Sequence, residues 1–202
     1  MIRAASGLSG VFLVWVALGS PLADYDHHLL TVHMIQHLLL MTVAPPLLLL
    51  GVPLSRQARQ PPLAVCWTVS ALTLIVWHVP AILTLALESE AWHVVAQASF
   101  LGAGLLFWWP VVRPWANASA GPQWSLLLYL FLATLPCDVL AGFLVFSDRV
   151  AYPVYLSMPR HFGLSVLEDQ QCAAALMWAC VTLAYLVPAA ILSTRLLSPR
   201  SV

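Results

Sequence analysis

The chain has 202 residues, is 61% hydrophobic and carries only eight basic and eight acidic side chains, for a formal net charge of zero. With 8% charged residues, where soluble domains carry about a quarter, it belongs in a lipid bilayer. All eight cations are arginines and none lies in a basic run, which excludes nucleic acid and other polyanions as partners.

Crossing about 30 Å of hydrocarbon takes about 20 apolar residues at 1.5 Å each. Six runs qualify, near residues 7–23, 28–50, 63–86, 92–112, 123–146 and 173–196. The first follows a lone arginine, as a secretory signal would, but lacks a small-x-small cleavage pair and reads as a transmembrane helix. Pro45, Pro46, Pro80, Pro136 and Pro188 fall inside spans and read as packing kinks, tolerated where neighbouring helices re-satisfy the freed carbonyls. The longest loop, "SDRVAYPVYLSMPRHFGLSVLEDQQ", is amphipathic enough to lie on the membrane surface or cap the bundle. The expected fold is all-α: a polytopic membrane helical bundle of about six transmembrane helices, forming a single integral-membrane domain over 1–202.

Orientation follows from the arginines, because cations are retained on the cytoplasmic side. Arg3, Arg56, Arg59, Arg113, Arg195 and Arg200 fall on one side of these spans, and Arg149 and Arg160 on the other. Both termini are therefore expected in the cytoplasm. Asp24, Asp26, Glu88, Glu90, Asp148, Glu168 and Asp169 all fall on the outer side. Cys66, Cys137, Cys172 and Cys180 lack a CxxC spacing, and all but Cys172, which falls in an expected loop, read as small hydrophobes. The aromatics, including "FWWP" at Phe107 to Pro110, Trp15, Trp77, Trp92 and Trp178, read as an interfacial belt without chemistry.

The polar residues within the spans carry the functional signal. His33 and His37, in "TVHMIQHLLL", are four apart, which puts both imidazoles on one helix face, one turn from each other. Two readings compete: hydrogen bonds to neighbouring helices, or two ligands of one metal ion. Counted from the outer ends at 1.5 Å per residue, His33 lies roughly 8 Å deep, His37 roughly 14 Å and His78 roughly 12 Å, with His93 at the mouth of the fourth span. The inner half contains no histidine. Ionisable groups in a membrane face the bundle interior or a wet cavity, so convergence on one outer site is the economical account. Met34 and Met177 share that depth, and Asp169 and Gln170 precede the sixth span. Imidazole with thioether suits copper, Cu(I) in particular. Asp138, also within a span, reads as a structural hydrogen-bonder or as a partner that orients an imidazole.

Three other chemistries fit these residues less well. An intramembrane zinc protease needs glutamate after the first histidine of H-E-x-x-H, and Met34 stands there. Haem needs ligands from opposite faces, so His33 and His37 cannot both serve it, whereas His37 with His78 or His93 could. A copper transporter would need a through-path, for which the inner half offers no matching histidines.

In order along the chain, "ALGSPLADYDHHLLTVHMIQHLLLMTVAPPLLLLGVPL", "VWHVPAI", "WHVVAQASFLGAGLLFWWPV", "AGFLVFSDRVAYPVYL" and "LEDQQCAAALMW" resemble the multi-pass CtaG-type cytochrome c oxidase assembly factors. The resemblance covers nearly the whole chain. It implies a non-enzymatic role in assembling haem-copper oxidase in the bacterial inner membrane, with copper delivery as the suspected task. The implied partners are the oxidase subunit carrying the copper centre, a periplasmic copper donor, the lipid bilayer and, for a homo-oligomer, a second copy of the chain. The family's histidine motif falls on His33 and His37, its later histidines on His78 and His93, its aspartate-glutamine motif on Asp169 and Gln170, and its methionine-tryptophan pair on Met177 and Trp178. Gln97 departs from a second histidine of that family, and Ala173 to Ala175 from its glycines. The expected metal set is His33, His37, His78, His93, Met34, Met177 and Asp169. The alternatives are a metal-free membrane chaperone for an oxidase subunit, a haem protein or a copper transporter.

Overall fold

The protein is seen in a computed structural model that describes residues 2–21, 23–53, 61–112, 124–159 and 162–197. Arg56, Arg59, Arg113, Arg160 and Arg200, on which much of the orientation argument rests, lie outside the described residues. The described residues form α1 (Ile2–Gly19), α2 (Leu30–Leu38), a π-turn (Leu39–Val43), α3 (Ala44–Gly51), α4 (Leu63–Trp77), α5 (Pro80–Glu88), α6 (Glu90–Val112), α7 (Trp124–Val145) and α8 (Val166–Leu197). There is no strand among them. Five spans are long and apolar enough to cross a membrane: α1, the continuous run α2 to α3, α6, α7 and α8; the bent pair α4 and α5 brings the number to six.

Three boundaries differ from the hydropathy reading, each for a local reason. The first helix already begins at Ile2 and stops at Gly19, before Pro21. The third span is not one rod: α4 ends at Trp77, Pro80 opens α5, and the two axes differ by 75°. Proline lacks the N–H that would continue α4 but is preorganised for a first helical turn, so it starts a helix here and does not merely kink one. The last helix begins at Val166 and not near 173, because Ser165 and Glu168 form a reciprocal capping box. The Ser165 N–H donates to Glu168 Oε2 at 2.8 Å, and the Glu168 N–H to Ser165 Oγ at 3.2 Å. Asp169, Gln170 and Cys172 therefore lie within α8.

Pro45 and Pro46 act differently again. The Met41 carbonyl would bond the N–H four residues on in an α-helix or five on in a π-turn, and both positions are prolines. Trp108 supplies the missing donor, with Nε1–H to the Met41 oxygen at 3.2 Å. Gly104 permits the approach, since a Cβ there would meet the same oxygen at 2.6 Å. At the far end of α3, Gly51 rests on Gly7 of α1 with no room for a side chain between the backbones. Trp108 is thus buried glue between helices, as is Trp77, whose Nε1–H donates to Ser99 Oγ at 2.7 Å. Both depart from the interfacial belt, which Trp15 and Trp92, exposed on α1 and α6, still fit.

A Gly104→Ala substitution is expected to destabilise the protein by about 1–3 kcal/mol, because the neighbouring atoms are the Met41 backbone and the closed Pro45 ring, which yield little. Thermal unfolding in detergent would show it as a lowered midpoint; an unchanged midpoint would mean that the helices separate at no cost.

Candidate metal centre

The two central histidines are positioned by a cap from another helix. The residue before α2, Leu29, has no side-chain oxygen, so the first N–H groups of α2 need an outside acceptor. Asp169 reaches over from α8: Oδ2 accepts from the Leu30 N–H at 2.7 Å, and Oδ1 from the Thr31 N–H at 3.1 Å and the Thr31 hydroxyl at 2.6 Å. A carboxylate here also meets the positive end of the helix dipole. Gln170 next to it accepts from the Ala151 N–H at 2.7 Å and donates to the carbonyls of Leu144 and Arg149. It ties residues 146–159 to α8 and makes them a cap on the bundle. Asp169 and Gln170 thus hold the scaffold, and Asp169 is spent on α2 and not on an imidazole.

From that fixed start, the third and seventh residues after Leu30 are His33 and His37, whose ring centroids lie 4.2 Å apart. His93 of α6 is 6.0 Å from His33, and His78, just after α4, is 6.0 Å from His37. All four are buried. His37 lies on the Phe100 ring, centroids 3.8 Å apart, and neither of its ring nitrogens has a hydrogen-bond partner. A structural histidine would normally bond at least one.

His78 is oriented by the break in the span. The chain tightens there, with N–H groups of His78 and Val79 bonding three residues back, to Ile75 and Val76, so the Leu74 carbonyl is released. It takes the His78 side chain instead, Nδ1 lying 2.7 Å from Leu74 O. A carbonyl only accepts, so Nδ1 carries the proton and Nε2 of the neutral ring carries a lone pair. That lone pair points at the Met34 sulfur, 3.4 Å away. Neither atom has a proton to offer the other. Bond lengths of ~2.0 Å to nitrogen and ~2.3 Å to sulfur about a tetrahedral ion put such a pair ~3.5 Å apart, so the two atoms match ligands of one ion. Met34, His37, His78 and Met177 line one cavity of about 40 Å³, with Met41 and Cys137 further along its wall. Asp138, half-buried on α7, is not in that lining.

Toward the mouth the donor set changes. Asp26, in the connection before α2, is 1% exposed; its Oδ2 lies 2.9 Å from His93 Nε2 and its Oδ1 3.3 Å from His27 Nε2. Burial works to raise the Asp26 carboxyl, but the hydrogen bond from His93 and the nearby imidazoles outweigh it and hold it below the usual carboxylate range. The Tyr155 hydroxyl donates to the Asp26 carbonyl at 3.3 Å and the Tyr152 hydroxyl to the His78 carbonyl at 3.1 Å, so the capping loop holds both ends of the histidine row.

The model of the cytochrome c oxidase caa3 assembly factor family, Caa3_CtaG, matches residues 1–198. The chain belongs to that family. Comparison with curated proteins and with solved structures yields no match. For this assembly factor, the predicted donors His33, His37, His78, His93 and Met34 form a contiguous row, and Met177 joins them at the cavity. Asp26 and His27 were missed. They lie in "DYDHH", directly ahead of α2, where a loop residue gives no sign of facing inward. Cys137, a plain hydrophobe by its spacing, also lines the cavity.

Asp169→Ala leaves the buried Leu30 N–H and the partly buried Thr31 N–H without an acceptor, at an expected cost of about 1–3 kcal/mol. Amide exchange at residues 30 and 31 should speed up in this variant more than exchange in α6. Uniform exchange rates would mean that α2 does not depend on this cap.

Proposed function

We propose that this assembly factor binds copper as Cu(I) near its outer face and helps deliver it to the copper-bearing subunit of cytochrome c oxidase, breaking no bond in any substrate. The observation that carries the reading is the bare His78 Nε2 facing the Met34 sulfur at 3.4 Å, with Nδ1 held by Leu74. His37 and Met177 complete the soft donor set, His33 connects it to the mouth, and His93 stands there as an entry ligand.

Imidazole and thioether favour Cu(I) among the biological metals. All these donors are neutral, so Cu(I) leaves one net charge inside the slab where Cu(II) would leave two, and burying charge without a counter-charge is costly. A cavity of about 40 Å³ suits an ion with a water or two. The arginine pattern supports termini in the cytoplasm and, with them, a histidine row on the outer, periplasmic side of a bacterial inner membrane, where a periplasmic donor could load it. A second copy of the chain could also supply a ligand.

Purified wild type, reconstituted anaerobically, is expected to hold roughly one equivalent of Cu(I) per chain. His33→Ala with His37→Ala should lose it, and cells carrying that variant should make copper-deficient oxidase. Equal copper content in both proteins, with oxidase assembly intact, would favour a metal-free chaperone for an oxidase subunit.

A further inference from the structure

The carboxylate at the mouth is unlike everything deeper in the row. Asp26, His27 and His93 offer one carboxylate oxygen and two imidazole nitrogens, all within 4.8 Å of one another. No sulfur is among them. Asp26 Oδ1 is buried and lacks a hydrogen-bond partner, since the 3.3 Å approach of His27 does not have hydrogen-bond geometry. An unmet carboxylate oxygen in a residue only 1% exposed is costly, and it faces two imidazoles.

His93 Nε2 is under a second demand. It lies 2.9 Å from Asp26 Oδ2 and 2.6 Å from the terminal amide of Gln97, one turn along α6. When Nε2 holds a proton, it donates to Asp26, and the Gln97 amide must turn its oxygen toward the ring; amide oxygen and nitrogen are assigned from such networks. When a cation takes the place of that proton, it meets Asp26, His93, His27 and the same Gln97 oxygen. The carboxylate would then be neutralised by the cation.

We propose that Asp26, His27 and His93 form a second metal station, separate from the sulfur-containing pair, which takes a divalent cation of the zinc or copper(II) class from the water at the mouth. Nitrogen with carboxylate suits such ions and does not select Cu(I). The His27 side chain is 40% exposed, so the station opens to solvent, while Asp26 is held from behind by Tyr155. The His27 and His93 rings lie 4.9 Å apart, and His93 is 6.0 Å from His33, so the station adjoins the inner row without sharing Met34 or His78.

The test uses the full chain in detergent, with a purification tag free of histidine, and Co(II) as a visible probe. Wild type should bind Co(II) with a visible absorption band that Zn(II) abolishes. Asp26→Asn and His27→Ala should each weaken that binding by at least about tenfold, whereas Met34→Leu with His78→Ala should leave it unchanged. Failure of wild type to bind Co(II), or wild-type affinity in both mouth variants, overturns the proposal. Co(II) binding lost with Met34 and His78, and not with Asp26, does the same. Cu(I) binding that ignores Met34 and His78, with Co(II) binding still dependent on Asp26, would sink the copper reading and leave this station standing. A readout on unaltered protein guards against misfolded variants: Zn(II) should protect His27 from carbethoxylation, and His27 modified at the same rate with and without Zn(II) overturns the proposal.

Discussion

The site depends on one long-range contact, the Asp169 carboxylate on the N-terminus of α2. A helix end buried in the bundle has no water to serve its free N–H groups, so α2 can begin there only where another element brings an acceptor. Fixing Leu30 and Thr31 fixes the rotation and depth of the helix, and with them the directions of His33 and His37. Everything else in the row is set against that reference. The π-turn and α3 continue from it, α6 locks to the turn through Trp108 and Gly104, and α6 in turn presents His93 and Phe100.

A common economy runs through the polar groups. Where a proline or a tightened turn strips a carbonyl of its helical partner, a functional or packing side chain takes that carbonyl up. Met41 O receives Trp108, Leu74 O receives His78, and the His78 carbonyl receives Tyr152. In the case of His78, the structural repair also fixes the tautomer. The broken helix therefore decides which ring nitrogen is free to bind an ion.

Much of the bundle was legible in the sequence because hydropathy reports burial in lipid directly. The four histidines could be brought together by counting depth along the spans, since a helix rises evenly. What could not be read depended on pairings that no local pattern encodes. Asp169 and Leu30 are 139 positions apart, and Asp26 is one loop acid among several on that side. The start of α8 was a different matter: the S-x-x-E spacing of Ser165 and Glu168 marks it, but a hydropathy scan starts the helix only beyond the charges. Trp77 and Trp108 misled because tryptophan near a helix end suits an interface and a buried bond equally well.

The 75° turn after Trp77 separates two tasks that a single straight helix would combine. At 15 residues, α4 rises only about 22 Å against about 30 Å of hydrocarbon, too little to cross by itself. The remainder of that apolar run, α5, lies across the top as a lintel whose Leu83, Ala86 and Leu87 face the bundle. His78 thus sits in the elbow between the two pieces, where the bend itself, and not the end of a span, sets the direction of its ring.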